Sequence, residues 1–243
     1  MSQLISLSYS PWSERARWAL DHHHIQRRNV EYVPMVGEPY LRWKLGKLTG
    51  RVTVPVFVDE AGVWKDSLDI ARRADAIGSG SPLFPAGTED EIARWNERAE
   101  RILAASRVLS LRRTAANPRA IQESMPFPKA LKPYLLPLGR SAVAFIAKKY
   151  ATAALTDAAA DAAIHDGLSE IRAALAGKRG HLLGDGLTYA DIVAATSFQL
   201  AAPVADRYIR LGPETRKCCT SERVSRDFAD LVAWRDELYA KYR

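Results

Sequence analysis

A change in sequence pattern at residues 78–88 constrains the fold of this chain more than any other feature. Before that segment, alternating and β-branched stretches predict short strands, separated by segments with helical spacing, near residues 3–9, 30–33, 54–58 and 63–65. After it, the apolar patterns have helical spacing throughout. The segment itself is rich in Gly, Ser and Pro, which is typical of a linker. The sequence therefore predicts a small α/β domain followed by an all-α domain.

The helical spacing of apolar residues, together with helix-start signals, predicts helices in both parts of the chain. In the first part, helices are expected to begin at Pro11, near Tyr40 and at Asp66-Ser67, and residues 59–62 predict a hairpin turn. In the second part, five prolines between residues 117 and 139 exclude one continuous helix there. Helices are predicted over residues 89–114, 140–150, 157–176, 189–202 and 224–242. Thr188 and Asp191 have the spacing of a capping box for the fourth of these.

Composition limits the class of protein. The chain has 243 residues, of which 47% are hydrophobic and 26% charged, a balance typical of globular proteins and not of disordered ones. No apolar stretch approaches the roughly 20 residues of a membrane span, and the first residues do not resemble a signal peptide. The two cysteines, Cys218 and Cys219, are adjacent, which excludes a disulfide framework. We therefore expect a cytoplasmic protein without a membrane span.

The positive charge is concentrated in one block. The formal net charge is +7, and residues 107–150 contain nine Lys and Arg residues but only one acid, Glu123. Such a block can attract an anionic small molecule, a membrane surface or nucleic acid, or it can be a solvated helical face. No nucleic-acid motif accompanies it, so a nucleic-acid partner is not expected.

Four short motifs carry chemical information. Ser10-Pro11 follows a predicted strand and begins a helix, and Asp66-Ser67 begins another, so each places a hydroxyl beside free backbone N–H groups that favour an anion. The motifs are Ser-Pro-x-x-x-Arg-x-Arg-x-x-Leu at 10–20, Val-Pro-Val at 54–56, Asp-Ser-x-x-Ile at 66–70 and Gly-x-Thr-x-Ala-Asp at 186–191. In this order, they resemble the soluble glutathione transferase family in its serine type, and a bacterial source is expected.

The resemblance covers essentially the whole chain. It implies a thioredoxin-like glutathione-binding domain over residues 1–78, a linker over 79–88 and an all-helical substrate-binding domain over 89–243. It also implies a homodimer.

The resemblance suggests roles for nine residues. Ser10 matches the residue that activates the glutathione thiol, and Tyr9 is the alternative, with Ser13 a weaker one. Trp12 is expected at the pocket wall. The remaining glutathione contacts would come from Val54, from Pro55 as a cis-proline, and from Asp66 and Ser67 at the γ-glutamyl end. Two departures affect these contacts: Leu48-Thr49-Gly50-Arg51 replaces the common Asn-Pro, and Asp66 replaces Glu or Gln. Lys44 is a further candidate from the second helix.

The implied activity is nucleophilic attack of an activated glutathione thiolate on a small hydrophobic electrophile, or a related isomerisation or peroxide reduction. Glutathione would be the co-substrate, and this chemistry needs no metal or organic cofactor. The first 217 residues contain no cysteine, which disfavours mixed-disulfide chemistry on the protein. The alternative is a non-catalytic protein of the same fold that binds hydrophobic or anionic ligands.

Overall fold

The computed structural model describes residues 2–47 and 49–243. Its first part contains a four-stranded sheet and three helices. Strand β1 runs parallel to β2 and antiparallel to β3, which pairs with β4, so the strand order is β2-β1-β3-β4. The elements are β1 (Gln3–Ser6), α1 (Pro11–His22), β2 (Arg28–Glu31), α2 (Glu38–Leu45), β3 (Val56–Asp59), β4 (Gly62–Lys65) and α3 (Ser67–Ile77).

This mixed sheet with helices confirms the predicted thioredoxin-like fold class. Several boundaries in this part differ from prediction: β1 ends at Ser6 instead of residue 9, β3 begins at Val56 instead of residue 54, and α2 begins at Glu38 instead of near Tyr40. Strand β2 begins two residues earlier because it pairs with β1 from Gln3 to Ser6. Helix α2 ends at Leu45, where Gly46 takes a left-handed conformation, and Leu48, the predicted end, lies outside the described residues.

The second part is helical, as predicted. Its described elements are α4 (Glu89–Ala116), α5 (Pro118–Ser124), α6 (Leu136–Lys149), α7 (Asp157–Leu175), α8 (Tyr189–Thr196), α9 (Pro213–Cys218), α10 (Glu222–Asp227) and α11 (Ala229–Tyr242). Short 3-10 turns follow α6 and α8, at Thr152–Ala154 and Ser197–Leu200. Among the described residues, no helix combines the length and the apolar character needed to cross a membrane.

The prediction of one helix over residues 224–242 was wrong. Phe228 separates α10 from α11 because its backbone, with φ −125° and ψ 34°, leaves the helical conformation. Its ring is buried, with its centroid 4.7 Å from that of the His165 ring and 4.4 Å from the guanidinium carbon of Arg172. Tertiary packing of this ring therefore outweighs the local helical pattern.

Helix α1 connects the two parts of the molecule. Its inner face belongs to one hydrophobic core that also includes Ile70 of α3, Ile102 of α4 and Phe198. The Trp18 ring lies 4.4 Å from the ring of Tyr239 in α11. Because α1 is packed on both sides, its N-terminus has a fixed position between the sheet and the helical part.

The capping box at α8 is present. The buried Asp191 carboxylate accepts hydrogen bonds from the backbone N of Thr188 (2.8 Å) and from the backbone N of Leu182 (2.7 Å). Asp191 therefore satisfies buried N–H groups of the loop before α8, which fits a structural role.

Candidate functional site

One cleft of about 470 Å³ is lined by seven of the nine residues for which the sequence suggested a catalytic or glutathione-binding role. It lies between the carboxyl end of β1, the start of β3 and helix α4. The suggested residues that line it are Tyr9, Ser10, Trp12, Val54, Pro55, Asp66 and Ser67. Lys44 and Ser13 do not line this cleft.

Ser10 is the N-cap of α1. Its backbone is extended, with φ −80° and ψ 128°, and its Oγ accepts a long hydrogen bond of 3.4 Å from the backbone N of Ser13. Because Oγ is the acceptor in that bond, the hydroxyl proton remains available to donate into the cleft. The hydroxyl therefore lies at the positive end of a 12-residue helix, an environment that favours an anion.

Two alternatives to Ser10 have different surroundings. The Ser13 side chain is fully buried, and its Oγ accepts from the backbone N of Leu7 at 3.0 Å, so it stabilises the turn before α1. Tyr9 does line the cleft. Burial, together with the Glu31 carboxylate, raises the pKa of Tyr9 to about 12, so its hydroxyl stays protonated and is also a possible donor.

The Val54–Pro55 peptide bond is cis, as the resemblance implies. Pro55 is buried directly before β3, and Val54 borders the cleft. The strand pairing between Ile5 and Val56 fixes this turn beside the end of β1. The backbone of Val54 therefore lies on the same side of the sheet edge as Ser10.

Asp66 is the N-cap of α3 and adopts an unusual backbone conformation, with φ 60° and ψ 167°. Its Oδ1 accepts from the backbone N of Leu68 and Asp69, at 2.8 and 3.2 Å, while Oδ2 has no partner among the described residues. Desolvation, with help from the charge of Asp69, raises the pKa of the Asp66 carboxyl above its usual value. The neighbouring Ser67 is buried at the cleft wall. This corner offers one carboxylate oxygen and one helix start to a ligand.

Sequence reasoning missed Glu100, which reaches the cleft from α4. Its carboxylate accepts from Trp12 Nε1 at 2.7 Å and forms an ion pair with the Arg15 guanidinium. Arg15 is fully buried and also donates through Nε to Thr196 Oγ1 at 3.0 Å. This network holds the Trp12 ring against the helical part. Nothing in the helical pattern around residue 100 distinguishes this glutamate from a surface residue.

Arg107, also on α4, is the second missed residue. Its guanidinium carbon lies 3.9 Å from the centroid of the Trp12 ring and 3.8 Å from that of Tyr150. Burial lowers the pKa of Arg107 to about 10, which still leaves it cationic at neutral pH. Within residues 2–47 and 49–243 it forms no ion pair. The basic block of the sequence thus places Arg107 and Lys149 in the cleft lining, and of these two Arg107 has no ion pair among the described residues.

Other charges of that block have partners. Arg112 pairs with Asp157 and donates to the Leu155 carbonyl at 2.7 Å, and Lys149 lies 3.5 Å from Glu38. The block therefore does not form one uniform basic surface.

The rest of the cleft wall is apolar and comes from the helical part. Its side chains include Leu111, Ile121, Met125, Phe127, Phe145 and Ile146. Cys219 lies at the same wall, where burial raises its pKa to about 12, so it is a neutral thiol. In the described part of the chain, no group of three or more His, Cys, Asp or Glu residues is arranged to hold a metal ion. The arrangement combines a polar corner with an apolar chamber.

Two family models match this chain. The glutathione S-transferase N-terminal domain matches residues 9–77, and the glutathione S-transferase C-terminal domain matches residues 150–237. Together they include well over half of the sequence. A search of curated proteins found no match.

Solved structures with the same architecture are similar over nearly the full chain. A glutathione S-transferase from Methylobacillus flagellatus with glutathione bound has a TM-score of 0.58 at 16% identity, covering 99% of this chain and 95% of that one. The transferase GSTFuA3 from Phanerochaete chrysosporium has a TM-score of 0.63 at 18% identity, covering 99% and 94%. A glutathione S-transferase from Methylobacterium radiotolerans in complex with glutathione sulfonate has a TM-score of 0.61 at 20% identity. The match covers 99% of this chain and 91% of that one. The fold, the order of the motifs and both family models agree: this chain belongs to the glutathione S-transferase family.

Proposed function

We propose that this protein is a glutathione transferase that activates the glutathione thiol with Ser10 and transfers it to a hydrophobic electrophile. The observation that carries the proposal is the shared cleft, in which a helix-capping hydroxyl, a cis-proline turn and a second helix start face one apolar chamber. The glutathione bound in the solved relatives from Methylobacillus flagellatus and Ceriporiopsis subvermispora supports the choice of ligand.

The γ-glutamyl end of glutathione is assigned to Asp66 and Ser67. The free Oδ2 of Asp66 would accept from the ammonium group, and the start of α3 would receive the carboxylate. The backbone of Val54, fixed by cis-Pro55, would pair with the cysteinyl residue, and Trp12 would border it. The thiol then lies near Ser10 at the start of α1.

The energy required of Ser10 is modest. A thiol with a pKa of about 8.5 is only a few per cent ionised at neutral pH, and lowering that pKa by two units requires about 2.7 kcal/mol. One hydrogen bond to a charged group supplies about 1.5–3 kcal/mol, and a helix N-terminus adds about 0.3–1 kcal/mol. The Ser10 hydroxyl and the start of α1 are therefore sufficient for thiolate formation.

In the substitution reaction, the thiol proton passes to solvent and the thiolate sulfur attacks an electrophilic carbon. A carbon–sulfur bond forms, and the leaving group departs with its electron pair. The donor at Ser10 stabilises the thiolate before attack, and the apolar wall of α4 and α6 binds the electrophile. Isomerisation and peroxide reduction would use the same thiolate.

The biological setting is part of the proposal. Conjugation of hydrophobic electrophiles would serve detoxification, and the two unpaired cysteines suit the reducing cytoplasm. We also propose a homodimer, because the family resemblance implies one. The non-catalytic alternative uses the same cleft without turnover.

Calorimetry with glutathione and with S-methylglutathione tests the binding half of this proposal. Mass spectrometry of reactions with an aryl halide, an epoxide, an enone and an organic hydroperoxide tests the catalytic half. We expect binding of both peptides, and product formation above the spontaneous rate with at least one electrophile. Binding without any product would favour the ligand-binding alternative, and absence of binding would refute both.

A further inference from the structure

The charged groups of the cleft are unevenly matched. Glu100 is neutralised by the buried Arg15, and the Lys149 ammonium lies 3.5 Å from Glu38. Arg107 and Arg51 form no ion pair within the described residues. Both guanidinium groups instead lie over the Tyr150 ring. The guanidinium carbon of Arg107 is 3.8 Å from the ring centroid, and that of Arg51 is 4.4 Å from it. The cleft lining thus includes two guanidinium groups without an ion pair among the described residues, that of Arg107 inside the cleft and that of the exposed Arg51.

Arg107 is also held in place. Its guanidinium lies between the rings of Trp12 and Tyr150, and the Trp12 ring is fixed by its hydrogen bond to Glu100. Stacking of a guanidinium on aromatic rings satisfies its faces, while its N–H donors, which lie in the plane, remain available. Burial is the main cause of the lowered pKa of Arg107; Tyr150 and the Glu100 carboxylate oppose that shift, and the charge of Arg51 adds to it. An anion placed beside Arg107 would therefore replace part of the hydration that burial removes.

The position of Arg107 decides which substrate would supply that anion. Trp12 is two residues after Ser10, so Arg107 lies beside the first turn of α1, where the sulfur of glutathione is proposed to lie. Leu111, one turn later on α4, lines the apolar chamber. The glutathione backbone contacts proposed above come from Val54, Asp66 and Ser67 on the other wall. A carboxylate on the electrophile therefore matches Arg107 better than the glycyl carboxylate of glutathione does.

We propose that Arg107, stacked between Trp12 and Tyr150, binds a carboxylate on the electrophilic substrate, so that the preferred substrates are amphipathic aromatic or aliphatic acids. This inference rests on the proposed function for the identity of the other substrate. It assigns Arg107 a role in substrate choice and none in thiolate formation.

Binding of two unreactive probes tests the inference directly. The probes are 3,5-dinitrobenzoate and its methyl ester, titrated into protein saturated with S-methylglutathione so that the glycyl carboxylate is already present. We expect the wild-type chain to bind the acid at least about tenfold more tightly than the ester. Arg107→Gln should remove that preference with little change for the ester. Arg107→Lys, which keeps the charge but not the stacking plane, should retain part of it.

Arg101→Gln is the matched control, because Arg101 is an exposed residue on the same helix and has no ion pair in the described structure. It should leave the preference intact. Equal binding of acid and ester by the wild-type protein overturns the inference, whatever the variants do. So does an Arg107→Gln variant that weakens S-methylglutathione and keeps the preference for the acid, since Arg107 would then hold glutathione.

Turnover separates this inference from the proposed function. With 4-chloro-3,5-dinitrobenzoate and its methyl ester, the glutathione sulfur replaces chloride, which leaves with its electron pair while the thiol proton passes to the buffer. Arg107→Gln should raise KM for the acid about tenfold to a hundredfold and change kcat little. If the wild-type protein converts neither compound and none of the four electrophiles named above, the proposed function is contradicted, and the binding preference still decides the role of Arg107.

Discussion

Replacement of Asp66 separates two roles that the structure gives to one side chain. Its Oδ1 caps α3 through Leu68 and Asp69, while Oδ2 is the proposed partner of the glutathione ammonium. Asp66→Asn keeps a capping oxygen and removes the charge. Asp66→Ala removes both. Asp66→Gly removes both but suits the backbone at φ 60° and ψ 167°, a region that glycine adopts without strain.

The three variants should rank differently in stability and in binding. Loss of the cap costs about 0.5–2 kcal/mol in Asp66→Ala, which lowers Tm by about 2–4 °C per kcal/mol. Asp66→Gly regains about 1–3 kcal/mol of backbone strain, so it should be more stable than Asp66→Ala, which lacks the same cap. All three should lose about tenfold to a hundredfold in glutathione affinity, because each lacks the charged contact.

Calorimetric titration and thermal unfolding of the same samples check this pattern. Since the pKa of Asp66 is raised, wild-type affinity should fall as the pH decreases through that raised value, and Asp66→Asn should lose this dependence. Asp66→Asn with wild-type affinity, or affinities that follow Tm across the series, would refute the assignment of Asp66 to glutathione.

Three further outcomes follow from the structure. Glu100→Gln should lower the free energy of unfolding, measured by chemical denaturation, by about 1.5–3 kcal/mol, because it leaves Arg15 buried without its counter-charge. As the control, Glu170→Gln breaks the exposed pair with Arg98 and should cost less than about 1 kcal/mol. Asp191→Ala should cost about 2–4 kcal/mol by the same measurement, because the N–H groups of Leu182 and Thr188 lose their buried acceptor. Light scattering at micromolar concentration should give twice the mass of one chain, and a monomeric mass would contradict the proposed homodimer.

Local signals made most of the fold predictable. The linker composition and the change from strand to helical spacing located both parts, and Ser10-Pro11 and Asp66-Ser67 located two helix starts that border the cleft. Thr188 and Asp191 gave the capping box in the same way. Each of these is a local pattern, which a sequence displays directly.

The missed features depend on contacts between distant segments. Glu100 and Arg107 belong to the cleft only because α4 packs beside the start of α1, and Trp12 contacts both of them. The break at Phe228 results from packing against α7, some 60 positions earlier in the chain. Helix α9 is short and has no periodic pattern long enough to detect.

Ultraviolet titration of the glutathione thiolate bound to the protein tests the central claim most directly. In Ser10→Ala, the apparent pKa of bound glutathione should rise by about one to two units, because the lost hydrogen bond supplied about 1.5–3 kcal/mol. Ser8→Ala, an exposed serine in the same loop, should leave that pKa unchanged, and so should Tyr9→Phe. A rise in Tyr9→Phe alone would transfer the role to Tyr9, and an unchanged pKa in both Ser10→Ala and Tyr9→Phe would contradict thiolate activation by this site.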